Sequence, residues 1–282
     1  MKAIITIAVS LITLASCTAV KVAVPEQFGS QATAMKVKGI NGWKFNEQLS
    51  FGTYVTSSVK RGWDFSNGSR FSRFSLKPED ILLSGFNIHS DREKYNEKNR
   101  FQYSIQDASL VTEVLAQESF SENQIVYKSN IAWLNEIKRT DKYQYAFSAT
   151  IVPLNFNKGE VWTLTMVNEF DAKTTKQKLF ERPQTKDIGF VTNGTEKIEI
   201  KPLMLSKHVN ASGKEGKLVG GPILTGYELR WDDGLVGVVD ILDHKIWIVN
   251  DLDPKEKMVL SAVASAILLK RKQDVYSEWS NG

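Results

Sequence analysis

The sequence predicts a mainly β protein, an antiparallel β-barrel of about ten to twelve strands around a buried hydrophobic helix near the C-terminus. Three observations support this fold class. Segments rich in β-branched and aromatic residues alternate with Gly, Pro, Asn and Asp from residue 35 to residue 251. Two dipeptides typical of tight hairpins stand between such segments. One segment that is apolar on nearly every side follows them, and such a helix has to be buried.

The predicted strands come first along the chain. The clearest of them are residues 49–60, 101–106, 142–154, 160–170 and 188–192. Residues 109–118 are compatible with either a helix or a strand. Their apolar residues, Leu110, Val111, Val114 and Leu115, satisfy a helical as well as an alternating pattern. We interpret this segment as a strand.

Two hairpins are predicted from turn dipeptides. Asn193-Gly194 and Asp233-Gly234 each lie between two apolar segments and readily supply the positive φ angles of a tight turn. Around the second dipeptide, residues 227–231, 235–242 and 246–250 form a predicted three-stranded meander, with its second bend at 243–245.

A helix is predicted to start at Asp253. Asp253 is a suitable N-cap, Pro254 suits the first turn, and Glu256 stands where a capping box needs it. Residues 258–269 are apolar except for Ser261 and Ser265, and three cations, Lys270, Arg271 and Lys272, follow where the helix dipole favours them. Since about 20 apolar residues are needed to cross a bilayer, we expect this helix, residues 254–270, to fill the core of a domain. Its small residues leave room for strands to approach.

The arrangement of many strands before one apolar helix resembles the tubby C-terminal and phospholipid-scramblase-like superfamily. The segments that support the resemblance are Gly42-Trp43, residues 49–52, residues 60–63 and the late strand 246–249, which leads into the helix. It implies a closed antiparallel barrel around a hydrophobic helix over residues 35–272. A β-sandwich with one packed helix is the alternative fold, and a lipocalin-like barrel fits less well because its helix usually lies outside.

The N-terminus has the pattern of an export signal. Lys2 precedes an apolar stretch, residues 3–14, and the small residues Ala15 and Ser16 stand before Cys17. The tetrapeptide 14–17 resembles the lipobox of bacterial lipoproteins, which implies cleavage before Cys17 and acylation of that residue. An ordinary cleaved signal with a coincidental cysteine is the alternative. Thr18 follows in place of Asp, which by the same resemblance implies the outer membrane, with the protein facing the periplasm or the cell surface.

These features divide the chain into four parts. Residues 1–16 are the predicted signal peptide, 17–35 a lipidated tether, 36–272 a single β-rich domain, and 273–282 a C-terminal tail. Cys17 is the only cysteine, so the folded domain has no internal disulfide. The net charge of +4 arises from interleaved acidic and basic residues and does not point to nucleic acid as a partner.

Residues that suggest a site are few. Basic and aromatic side chains alternate imperfectly around Asn67-Gly68, and Lys60, Arg61, Trp63, Arg70 and Arg73 are the predicted contacts for phosphate headgroups or sugars. The alternative is that the aromatic residues are core and the cations block edge pairing. A second group, Asp232, Asp233, Asp240 and Asp243, surrounds a hairpin, where Asp is more simply explained by turn hydrogen bonds than by acid and base catalysis.

The sequence contains no pattern for a metal or a cofactor. His89, His208 and His244 have no ligand spacing, and residues 213–217 lack the form of a phosphate-binding loop. We therefore expect no cofactor and no catalytic residue. The favoured hypothesis is a membrane-anchored, non-catalytic binding module for a lipid, a glycan or an envelope protein. An envelope hydrolase and a structural factor for outer-membrane assembly are the alternatives.

Overall fold

The computed structural model describes residues 22, 24–41, 47–62, 94–128, 136–157, 159–171, 186–209, 215–218 and 222–270. Within these residues the chain forms two helices, α1 (Glu26–Gln31) and α2 (Pro254–Leu269). The strands are β1 (Ala32–Lys36), β2 (Ser50–Phe51), β3 (Tyr54–Thr56), β4 (Lys60–Arg61), β5 (Lys94–Asp107), β6 (Leu110–Lys128), β7 (Glu136–Pro153), β8 (Trp162–Asp171), β9 (Lys186–Thr192), β10 (Lys197–Leu205), β11 (Lys207–Val209), β12 (Glu215–Lys217), β13 (Ile223–Trp231), β14 (Gly234–Asp240) and β15 (Lys245–Val249).

The main sheet is a nearly closed antiparallel barrel. Among the described strands its order is β1-β15-β14-β13-β10-β9-β8-β7-β6-β5-β3-β2, and β4 pairs with β5. Strands β11 and β12 pair separately. The two ends of the order meet at an antiparallel bridge between Lys38 and Ser50, whose backbone groups exchange hydrogen bonds of 2.9 and 3.1 Å. This confirms the predicted barrel, because the bridge links the chain just after β1 to β2, which are the two ends of the strand order.

Helix α2 lies in the middle of this barrel. Every residue of 258–269 is buried, and the helix contacts β5, β6 and β7 as well as β14 and β15. The predicted capping box is confirmed: Asp253 Oδ1 accepts from Lys255 N at 2.6 Å and Glu256 N at 3.0 Å, while Glu256 Oε2 accepts from Asp253 N at 3.0 Å. The strong N-terminal cap fixes the register in which the apolar helix enters the core.

The predicted meander and hairpins are present, with two shifts. The second bend of the meander is residues 241–244 instead of 243–245, because Lys245 already pairs with Asp240. The two-residue turn between β13 and β14 is Asp232-Asp233, with φ of 47° and 63°, and Gly234 already pairs with Trp231. The prediction placed the turn one residue later. Asp tolerates this left-handed conformation because its short side chain can hydrogen-bond locally. The turn between β9 and β10 contains Asn193 and Gly194, as predicted.

The folded part of the chain begins earlier than the sequence indicates. Helix α1 buries Phe28, and β1 pairs with β15 from Ala32 to Lys36. All of α1 and all of β1 except its last residue lie within the segment predicted to be tether. Asn250 N donates to Gln31 O at 2.9 Å, which ties α1 to the loop before α2. Five residues of β structure with two exposed positions in the middle carry too weak a periodic signal to be distinguished from a linker.

Candidate functional site

Arg61 is the residue of the predicted basic and aromatic patch for which side-chain contacts are described. Its neighbour in β4, Lys60, is exposed, whereas the Arg61 side chain is 15 % exposed and turns into the barrel. Arg61 Nη2 and Nε donate to Glu47 Oε2 at 2.7 and 3.2 Å, and the Glu47 side chain is 2 % exposed. Alternation along the strand thus separates the two cations. Trp63, Arg70 and Arg73 lie outside the described residues.

The same guanidinium binds the end of the central helix. Arg61 Nη2 donates to Leu269 O at 2.9 Å, and the guanidinium carbon lies 4.9 Å from the centroid of the Phe101 ring. The last carbonyls of a helix have no partner within the helix and carry a partial negative charge, which favours a cation there. The guanidinium of Arg61 is therefore already engaged by Glu47, by the carbonyl of Leu269 and by the Phe101 ring, and a ligand would have to compete with these contacts.

Lys270 is a second cation at this end of α2, and it is buried. The residue is 2 % exposed. Its Nζ lies 4.7, 5.6 and 5.9 Å from the ring centroids of Tyr227, Tyr145 and Phe147, and it donates to Tyr227 Oη at 3.0 Å. Three aromatic rings from two different strands, β7 and β13, thus surround one ammonium group. We call these three rings the aromatic cage.

A buried carboxylate stands beside the aromatic cage. Glu118 is 4 % exposed and lies on the core-facing side of β6, where it follows Val114 and Ala116 in the alternation. Tyr145 Oη donates to Glu118 Oε2 at 3.0 Å, and Asn99 Nδ2 donates to Glu118 Oε1 at 2.7 Å. Burial, and then the negative charge of Glu118, raise the pKa of the Tyr145 phenol well above its ordinary value. Tyr145 therefore remains a neutral donor at physiological pH.

In the C-terminal half of α2, Tyr103 from β5 reaches the helix. The hydroxyl of Tyr103 lies 2.7 Å from Ser265 Oγ, and Ser265 in turn donates to Ala262 O at 3.0 Å. Burial raises the pKa of Tyr103, and the hydrogen bond with Ser265 and the charge of Arg61 offset part of that rise. The predicted room beside the small residues of α2 is occupied here by a polar side chain from β5.

The four aspartates near the β13–β14 hairpin are engaged in turns. Asp240 is 2 % exposed and its Oδ1 accepts from Leu242 N and Asp243 N, each at 2.9 Å. Asp243 forms an ion pair with Lys245 at 2.7 Å, and Asp232 and Asp233 are the turn itself. The carboxylates of Asp240 and Asp243 thus have local structural uses of the kind that favour Asp in turns.

Three further observations bear on chemistry. In the described part of the chain, no group of three or more His, Cys, Asp or Glu side chains is placed to hold a metal ion. No helix among the described residues is long and apolar enough to cross a membrane. Cys17, His89, Gly213 and Lys214 lie outside the described residues, whereas the rest of the segment 213–217 forms β12.

Sequence reasoning missed the cluster formed by Asn99, Glu118, Tyr145, Tyr227 and Lys270. Lys270 is easily interpreted as the first solvated cation after the helix, although it follows the last apolar residue directly. One signal was available, because Glu118 occupies a core-facing position of an alternating strand between Ala116 and Phe120. A carboxylate at such a position requires buried donors, and their identity depends on strands far away in sequence.

Comparison with protein-family models, curated proteins and solved structures returns no match to this chain.

Proposed function

We propose that this protein is a bacterial envelope lipoprotein, anchored in the outer membrane through acylated Cys17, and that it acts as a non-catalytic binding or interaction module. The partner is a lipid, a glycan or an envelope protein. The observation that carries the proposal is the buried helix α2, since every residue of 258–269 is buried inside the barrel. Barrels that enclose a ligand hold it in the lumen, and here the chain's own helix takes that volume.

A filled lumen restricts contacts with a partner to the outer surface and the ends of the barrel. Among the exposed positions, Lys60 lies on β4, directly before the segment that contains Trp63, Arg70 and Arg73. Arginine guanidinium groups pair well with phosphates, and aromatic faces stack on sugars and cations. We retain these residues as the proposed ligand contacts. The barrel around a helix also agrees with the resemblance to the tubby and scramblase-like superfamily, which remains part of the proposal.

The proposed anchor would hold the barrel close to the bilayer. Helix α1 begins at Glu26, nine residues after Cys17, so the extended connection spans at most about 30 Å. Gln31, at the C-terminal end of α1, accepts a hydrogen bond from Asn250 N, so this end of α1 lies beside the loop that leads into α2. A module held this way scans only molecules in or near the membrane surface, which favours an envelope component as partner.

Native mass spectrometry tests the proposal. The chain from Thr18 onward, exported without the acyl anchor and purified from the envelope fraction without detergent, is expected to carry a reproducible added mass of a lipid or glycan, or to co-elute with an envelope protein. The Arg70→Ala/Arg73→Ala variant should lose that mass. A control of equal charge change is Lys197→Ala/Lys201→Ala, because both lysines are exposed on β10 and pair with Glu199.

The outcomes separate the alternatives. If the Arg70→Ala/Arg73→Ala variant carries the same added mass as the unsubstituted protein, the ligand binds elsewhere on the barrel. A substrate that is converted during incubation with the purified protein argues against a non-catalytic module. A bare protein with no associated partner argues for a structural role.

A further inference from the structure

The aromatic cage around Lys270 has the chemistry of a binding site for an organic cation. Aromatic faces attract a cation within about 6 Å of the ring centroid, and several rings around one point form the arrangement that recognises ammonium ligands. Tyr227, Tyr145 and Phe147 meet this distance with respect to Lys270 Nζ. The cage is thus assembled around an ammonium group.

The surroundings of the cage favour a cation further. Glu118 accepts a hydrogen bond from the Tyr145 hydroxyl, so a carboxylate stands at the hydroxyl edge of one ring of the cage. The carbonyl end of α2 is adjacent, because Lys270 is the residue that follows its last turn. Tyr227 Oη accepts a hydrogen bond from Lys270 Nζ, which suits a primary ammonium with N–H donors better than a fully alkylated one.

We propose that the aromatic cage is a binding site for a primary alkylammonium group, and that Lys270 occupies it as an intramolecular ligand. The side chain thereby fastens the C-terminal end of α2 inside the barrel and closes the site to amines from outside. This inference is independent of the proposed function, because it depends only on contacts within the described barrel.

Chemical rescue tests the inference directly. The Lys270→Ala variant of the chain from Thr18 onward leaves the cage without its cation. We expect its folding equilibrium constant to fall by about tenfold or more. Adding n-butylammonium chloride should restore the lost stability, and this effect should saturate as the amine concentration rises. n-Butanol, which has a similar shape and no charge, and sodium chloride at equal ionic strength should fail to do so.

Two controls keep the test decisive. Lys255→Ala removes an exposed lysine from the other end of α2 and should show neither the loss nor the rescue. If Lys270→Ala does not fold alone, refolding in n-butylammonium is expected to recover it. Lys270→Met fills the cage with an uncharged chain of similar length and should be less stable than the wild type. An absence of saturable rescue, an equal effect of n-butanol, or a Lys270→Met variant as stable as the wild type would each overturn the proposal.

Discussion

The guanidinium of Arg61 lies 2.7 Å from the carboxylate of Glu47, and the Glu47 side chain is 2 % exposed. This ion pair lies where β4 joins the barrel wall, beside the last carbonyl of α2. Taking two charges out of water is costly, and removing one partner leaves the other charge buried without compensation. The pair therefore ties the correct placement of β4 to the end of the central helix.

Replacing Arg61 should destabilise the protein strongly. Arg61→Ala is expected to lower the free energy of unfolding by about 3 kcal/mol or more, since it leaves Glu47 buried without its cation. Lys60→Ala, on the exposed side of the same strand, should change it by about 0.5 kcal/mol or less. Urea denaturation of both variants checks the difference, and equal effects would mean that the buried pair does not stabilise the barrel.

An acidic residue in the middle of α2 should prevent folding. Val263 and Ile267 are both fully buried, and Val263→Asp or Ile267→Asp places a carboxylate in the core at a cost of several kcal/mol against a total stability of about 5 to 15 kcal/mol. Circular dichroism and limited proteolysis report the loss. Lys255→Asp is the control, because this residue is exposed in the first turn, where an acidic side chain is favoured. A folded Val263→Asp variant would contradict the placement of α2 inside the barrel.

The closing bridge of the barrel should depend on Gly39. This residue has φ of 91°, and an added Cβ would lie 1.9 Å from Gln48 O, next to the Lys38 and Ser50 bridge. Gly39→Ala is expected to cost more than about 1 kcal/mol. Gly29→Ala is the matched control, since nothing lies within 4 Å of its Cβ in α1 and Ala favours a helix. Thermal unfolding distinguishes the two, and similar melting temperatures would place the strain elsewhere.

Stability should fall in alkaline solution. Burial raises the pKa of Tyr54, Tyr103 and Tyr145 above the ordinary value of 10.0. In the unfolded chain these phenols ionise near pH 10, whereas in the folded state they stay protonated to higher pH. Above about pH 10 the unfolded state therefore binds fewer protons than the folded state, and the free energy of unfolding decreases as pH rises. Urea unfolding at several pH values checks this slope. Tyr103→Phe should make it shallower, and an unchanged slope would argue against a buried neutral phenol at this position.

Membrane attachment should depend on Cys17. Under the proposed acylation of Cys17, Cys17→Ser is expected to leave the folded domain intact and to release it from membranes, because the proposed acyl chains would supply the anchoring energy, at about 0.8 kcal/mol per buried methylene. Fractionation of cells that produce each form measures the shift. Continued sedimentation of the Cys17→Ser protein with membranes would assign the attachment to another part of the chain.

The fold was predictable where local and global signals agree. The capping box at Asp253, the all-round apolar helix and the turn dipeptide at Asn193 each determine structure through near neighbours, and all are present. The segment 109–118, ambiguous by period, lies within β6 apart from its first residue because it pairs with β5 and β7 along its length. Pairing with neighbouring strands makes this segment a strand, although its local sequence is compatible with a helix as well.

The contacts at the C-terminal end of α2 could not be predicted in the same way. The predicted patch grouped Lys60 with Arg61 by proximity in sequence, although strand alternation sends their side chains to opposite sides. The ring set around Lys270 comes from residues 145, 147 and 227, and only the order of strands in the barrel brings them together. Sequence spacing carries no information about such a meeting.

The pairing of β1 with β15 has a kinetic consequence. Thr33 and Asn250 are joined by a hydrogen bond across 217 positions of the chain, so the first strand cannot find its place until the last strand has been synthesised and has emerged. Contacts between such distant residues slow folding, because a very large loop must close before they contribute. The barrel of this topology therefore closes only after the final third of the chain has been made, and until then β1 has no partner strand to pair with.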